Sequence, residues 1–68
     1  MRVLLNGNEA ELADGATVLA AVESLDLPAE GRGVAVAVDA EVVPRTQWNT
    51  HKLDEGARVE ILRAIQGG

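Results

Sequence analysis

The chain has 68 residues, no cysteine, a single histidine, a single aromatic residue (Trp48) and a formal charge of −5. Such a sequence excludes a disulfide-stapled fold, offers too little for a structural zinc site built on His51, and repels phosphate backbones, so nucleic acid is not an expected partner. With 47% apolar residues drawn from Val, Leu, Ile and Ala, one small core can form, and residues 1–68 are read as a single domain.

In chain order, Arg2 to Asn6 reads as a strand with Val3 and Leu5 on one face and Leu4 on the other. Glu9 to Leu12 is its partner, because Asn6-Gly7-Asn8 between them is a strong hairpin signal: Asn and Gly tolerate the positive φ of a tight turn. Thr17 is placed to cap a helix whose apolar stripe is Val18, Val22 and Leu25, widened by Leu19 and Ala21. Pro28, which lacks an amide donor and restricts Leu27, is expected to stop that helix. Residues 29–33 form a loop.

Val34-Ala35-Val36-Ala37-Val38 alternates large and small residues. The valines are expected under the helix and the alanines on the open face. Asp39-Ala40-Glu41 turns into a brief Val42-Val43 strand, ended by Pro44. Arg45 to Trp48 suits one helical turn, with Trp48 covering an edge of the core and Arg45 paired with an acid. Leu53 tucks into the core, Asp54-Glu55-Gly56 turns, and Arg58 to Ala64 is the last strand, Val59 and Ile61 facing the helix. A hairpin, a crossover helix and a returning strand allow the last strand to lie parallel beside the first. The expected fold is therefore α+β, a ubiquitin-like β-grasp: a mixed sheet with one main helix packed on one face. Leu4, Ala35, Ala37, Leu62 and Ala64 then share the open face, a candidate partner-docking surface flanked by charges.

The residues offer little for catalysis. Ser24, Thr17, Thr46 and Thr50 lie in no pattern that supplies a general base and an orienting group. The carboxylates lack metal-ligand spacing, and Gly31-Arg32-Gly33 lacks the lysine of a phosphate-binding loop. No apolar run approaches a membrane span, and no leader precedes the first strand, so a cytoplasmic, membrane-independent protein is expected. What remains is the ending Ile65-Gln66-Gly67-Gly68. Two terminal glycines put a carboxylate on a flexible tether that can pass through a channel too narrow for a side chain. A carboxylate is inert until an oxygen becomes a leaving group, as in a mixed anhydride with AMP. Since this chain has no means of making one, a carrier worked on by partner enzymes is expected.

Four segments carry a family resemblance: Val3-Leu4-Leu5-Asn6-Gly7, Val36-Ala37-Val38-Asp39, Val42-Val43-Pro44-Arg45-Thr46-Gln47-Trp48 and Ala64-Ile65-Gln66-Gly67-Gly68. Together they resemble the ThiS family, sulfur carriers of thiamine biosynthesis, over essentially the whole chain. The Val-Val-Pro-Arg-x-x-Trp run is the most specific piece. Ala57, where relatives usually have aspartate, is a departure confined to a turn. The resemblance implies that the chain is no enzyme and binds no cofactor itself. It implies that the Gly68 carboxylate is adenylated by a ThiF-type adenylyltransferase using ATP and Mg. A sulfur donor protein then supplies sulfur to give a thiocarboxylate, which serves a thiazole synthase of ThiG type. It also implies that Gly67, Gln66 and Ile65 thread into the partners' sites. Open beside it stand a carrier for molybdopterin, cysteine or a tungsten cofactor, and a β-grasp interaction module with an inert tail.

Overall fold

The computed structural model describes residues 1–27 and 32–63. Strands β1 (Arg2–Leu5) and β2 (Asn8–Glu11) form the expected hairpin, joined by Asn6 and Gly7 at φ 50° and 83°. Helix α1 (Val18–Ser24) follows, then β3 (Val34–Val38), the two-residue β4 (Glu41–Val42), a 3₁₀ turn (Arg45–Gln47) and β5 (Arg58–Arg63). The strands make one mixed sheet in the order β2-β1-β5-β3-β4. β5 lies at its centre, parallel to β1 and antiparallel to β3. This is the β-grasp that the element order implies.

Alternation decides what each strand buries. Val3, Leu5, Val36, Val38, Val59 and Ile61 point under the helix and are between 0 and 8% exposed. From α1 they meet Val18, Ala21 and Val22, all fully buried. The stripe ends there, because the helix stops at Ser24, one residue before the last position of the expected stripe. Leu25 occupies the C-cap and is 40% exposed. Asp26 takes a φ of 58°, the Asp26 amide bonds to Glu23 O at 3.0 Å and the Leu27 amide to Val22 O at 3.4 Å. That pair of bonds around a left-handed residue is a Schellman closure. It brings Leu27, not Leu25, against the core. The expected stop at Pro28 lies outside the described residues, four positions beyond the observed helix end at Ser24.

A seven-residue helix is marginal by itself, and its first amides need partners. Thr17 Oγ1 accepts from the Ala20 amide at 3.3 Å, as expected of an N-cap. Two further bonds come from the segment after the 3₁₀ turn: the Val18 amide donates to His51 O and the Leu19 amide to Trp48 O, both at 3.0 Å. The Leu53 amide returns a bond to Ala16 O at 2.8 Å. Tertiary pairing thus closes the helix start and carries Leu53 into the core.

Trp48 corrects its expected place. It does not cover an edge; it is 2% exposed inside the core, its Nε1 donating to Val43 O at 2.9 Å. Val43 is buried with it, whereas Val42 is exposed. Ala57 likewise belongs to the core rather than to an open turn, at 4% exposure. The β3–β4 turn holds a further departure. Asp39 and Ala40 have φ of 49° and 73°, a left-handed pair with no glycine in it. The turn is braced by Asp39, whose amide donates to Arg58 O at 2.8 Å and whose Oδ1 accepts from the Arg58 amide at 3.0 Å.

Candidate functional site

The site expected from the sequence has two parts, the terminal tail and the open face of the sheet. Ala64, Ile65, Gln66, Gly67 and Gly68 lie outside the described residues. What precedes them is well defined: the strand that leads to them is the central one, paired on both sides. On the β3 side its register runs from Val38↔Val59 to Val34↔Arg63. On the β1 side Leu4 and Leu5 pair with Arg58 and Val59.

Registers also fix the make-up of the open face, since residues directly opposite each other share a face. Leu62 stands beside Ala35, and Glu60 beside Ala37, which in turn stands beside Val42. Leu62 and Val42 are 69% and 76% exposed, against 7% for the inward Leu5. The structure therefore brings together Leu62, Ala35 and Ala37 as expected, and adds Val42. It sets Leu4 apart. Leu4 is half-buried between its neighbours Glu9 and Arg58, roughly 13 Å along β5 from Leu62 at the usual rise per residue. Val42 escaped sequence reading because a two-residue strand has no periodicity. The signal that finds it is the Asp39-Ala40 turn, which places Val42 opposite Ala37.

Two shallow depressions mark this face. One, about 370 Å³, is lined by Gly33, Val34, Ala35, Leu62 and Arg63, at the last described residue before the tail. The other, about 290 Å³, is lined by Leu4, Gly7, Arg58, Val59 and Glu60. Charges flank the apolar group. Arg2 lies 3.8 Å from Glu9 and 3.9 Å from Glu11 on the β1–β2 side, both pairs being exposed. Such pairs add little stability but present alternating charge to an approaching surface.

Three of the four hydroxyl groups, those of Thr17, Ser24 and Thr50, are engaged in holding backbone. Ser24 Oγ donates to Ala21 O at 2.7 Å and Thr50 Oγ1 to Gln47 O at 3.4 Å, while Thr17 caps the helix. Among the described residues no three His, Asp or Glu side chains gather closely enough to hold a metal ion. No described helix is long and apolar enough to cross a membrane. Among the described residues no acid lies within ion-pair distance of Arg45; it lines a groove with Leu19, Thr46, Trp48 and Asn49 instead. At the other end, the Met1 ammonium donates to Leu12 O at 2.7 Å and lies 3.1 Å from Asp14. The Asp14 hydrogen bond holds its pKa above the ordinary 8.0 against the opposing effect of desolvation, with Asp14, Glu11 and Glu55 adding their charge.

Comparison with known proteins gives a consistent result. The model of the ThiS family matches residues 3–68. The sulfur carrier protein ThiS of Escherichia coli (strain K12) is 34% identical over 68 residues, the whole of both chains. Among solved structures, the crystal structure of a thiamine biosynthesis protein (ThiS) from Geobacter metallireducens superposes with a TM-score of 0.80. It is 26% identical, with all of both chains covered. A solution structure of a thiamine biosynthesis protein from the same organism gives 0.79 at 27% identity, covering all of this chain and 88% of that one.

Proposed function

The chain belongs to the ThiS family, and on that premise we propose that it is a sulfur carrier of thiamine biosynthesis, loaded at the carboxyl group of Gly68. The observation that carries this reading is the extent of the match: it runs to residue 68 and so includes the Gly67-Gly68 ending. In the proposed cycle a Gly68 carboxylate oxygen attacks the α-phosphorus of ATP on an adenylating partner of ThiF type. Pyrophosphate leaves, and an acyl-adenylate forms. Sulfide-level sulfur handed over by a donor protein attacks the acyl carbon, forming the C–S bond as the C–O bond to AMP breaks, and the resulting thiocarboxylate supplies sulfur to a thiazole synthase. ATP and magnesium belong to the partner; the carrier is their co-substrate and not an enzyme.

Each described feature has a part in that cycle. The tail leaves from the central strand, whose last described residues, Leu62 and Arg63, are held by Ala35 and Val34 of β3. Glycines at 67 and 68 let the carboxylate enter a narrow site. Leu62, Ala35, Ala37 and Val42 form the docking face beside the tail root, with Leu4 at its far margin. Apolar side chains there release water on docking, while flanking charges select the orientation.

The test is ATP–pyrophosphate exchange with the adenylating enzyme of the same host. Exchange that depends on this chain, and is lost when Gly67 and Gly68 are deleted, is the expected result. Exchange that survives the deletion would refute the assignment of Gly68.

A further inference from the structure

Backbone pairing between β1 and β5 stops early. After Leu5↔Val59, the Asn6 amide donates to Val59 O at 2.9 Å and the chain then turns back through Gly7. The next rung on that side is made by a side chain. Asn6 Oδ1 accepts from the Ile61 amide at 2.8 Å, and Asn6 Nδ2 donates to Ile61 O at 3.2 Å. The carboxamide stands where a peptide group of a longer β1 would stand. Without it, the stretch from Glu60 to Arg63 would be held by β3 alone and would behave as an edge.

Few residues can fill this position. Its φ of 50° restricts it to Asn, Asp or Gly. Of these, only Asn offers a donor and an acceptor together. Asp would set a carboxylate oxygen against the Ile61 carbonyl, and Gly would leave both backbone groups without their partner.

We propose that Asn6 is a positioning residue for the Gly68 carboxyl group: by holding Ile61, it fixes the direction in which β5 delivers the tail to the activating site. The proposal rests on the carrier reading above. Its effect is on the cost of ordering the strand end when the partner binds. The KM for the carrier should therefore respond, while kcat, set once the tail is seated, should not.

The experiment measures ATP–pyrophosphate exchange against carrier concentration for the wild type, Asn6→Gly, Asn6→Asp and Thr17→Ala. Asn6→Gly keeps the turn and removes the clamp; Asn6→Asp is the second variant should the first not fold. Thr17→Ala lowers stability through the helix cap, away from β5. KM is expected to rise about fivefold to thirtyfold in both Asn6 variants, equivalent to ordering one more backbone residue on binding. It should stay unchanged in Thr17→Ala, with kcat near wild type throughout. Amide hydrogen exchange should quicken at Ile61 in the Asn6 variants only. An unchanged KM in folded Asn6 variants, or an equal rise in Thr17→Ala, would overturn the positioning role while leaving the carrier reading intact. Absence of exchange with the wild type would remove the carrier reading itself, and this proposal with it.

Discussion

The two faces of the sheet are built from the same strands, yet they are put to opposite uses. Under the helix, β5 contributes Val59 and Ile61, buried with Val3, Val36 and Trp48. On the other side the same strand shows Arg58, Glu60 and Leu62 to water. A period of two is enough to separate a face that holds the fold from a face that is free to meet a partner. The lesson is that substitutions one residue apart on β5 should report on different properties: stability at Val59 and Ile61, association at Arg58, Glu60 and Leu62.

The hardest way to break this contrast is to empty the buried face. Trp48→Ala should cost about 3–5 kcal/mol, a large part of the roughly 3–10 kcal/mol expected for a domain of this size. Urea denaturation followed by far-ultraviolet circular dichroism should show the transition moved to far lower denaturant than in the wild type. On the open face, Leu62→Glu should change the unfolding free energy by less than about 0.5 kcal/mol. Affinity for the adenylating partner, measured by calorimetry, should nonetheless fall by about 2 kcal/mol, as when a central interface anchor is lost. A Leu62→Glu variant that unfolds, or binds normally, would erase the distinction.

Smaller effects sharpen it. Ala40 sits at φ 73° with no glycine to relieve it, so Ala40→Gly should raise stability by about 0.5–1 kcal/mol. The same denaturation curves would show it. Smallest is the pH effect of the Met1 amine, whose pKa is raised in the folded state above 8.0 by the Asp14 hydrogen bond. A raised folded value means its contribution is complete below the unfolded value and fades as pH rises through the folded one. The urea midpoint should drift down as pH rises above about 8, and Asp14→Asn should flatten that drift.

Much of the fold was legible because its signals are local. Asn6-Gly7 is the residue pair that a left-handed turn demands, Thr17 caps as its type predicts, and the Val-Ala alternation of residues 34–38 names its own faces. What stayed hidden depends on pairing across the chain. Asp39-Ala40 makes the same left-handed turn without a glycine to announce it, so Val42 was not seen to stand beside Ala37. Leu25 follows the helical period, but the left-handed Asp26 ends the helix first and gives the inward place to Leu27. The depth of Trp48 follows from a bond to the Val43 carbonyl, which no spacing encodes. The candidate site divides in the same manner. The Gly-Gly ending is plain in the sequence, whereas separating Leu4 from the Leu62 group required the β1–β5 register.

The central claim is that Gly68 carries the sulfur, and mass spectrometry of the chain isolated from its own host tests it most directly. Replacing one carboxylate oxygen by sulfur adds about 16 Da, the same shift as oxidation of Met1, so the terminal peptide must be fragmented as well. The account predicts that the added mass maps to Gly68 and is lost on hydrolysis. A plain carboxylate at Gly68, even after incubation with the adenylating enzyme, the sulfur donor and ATP, would contradict it.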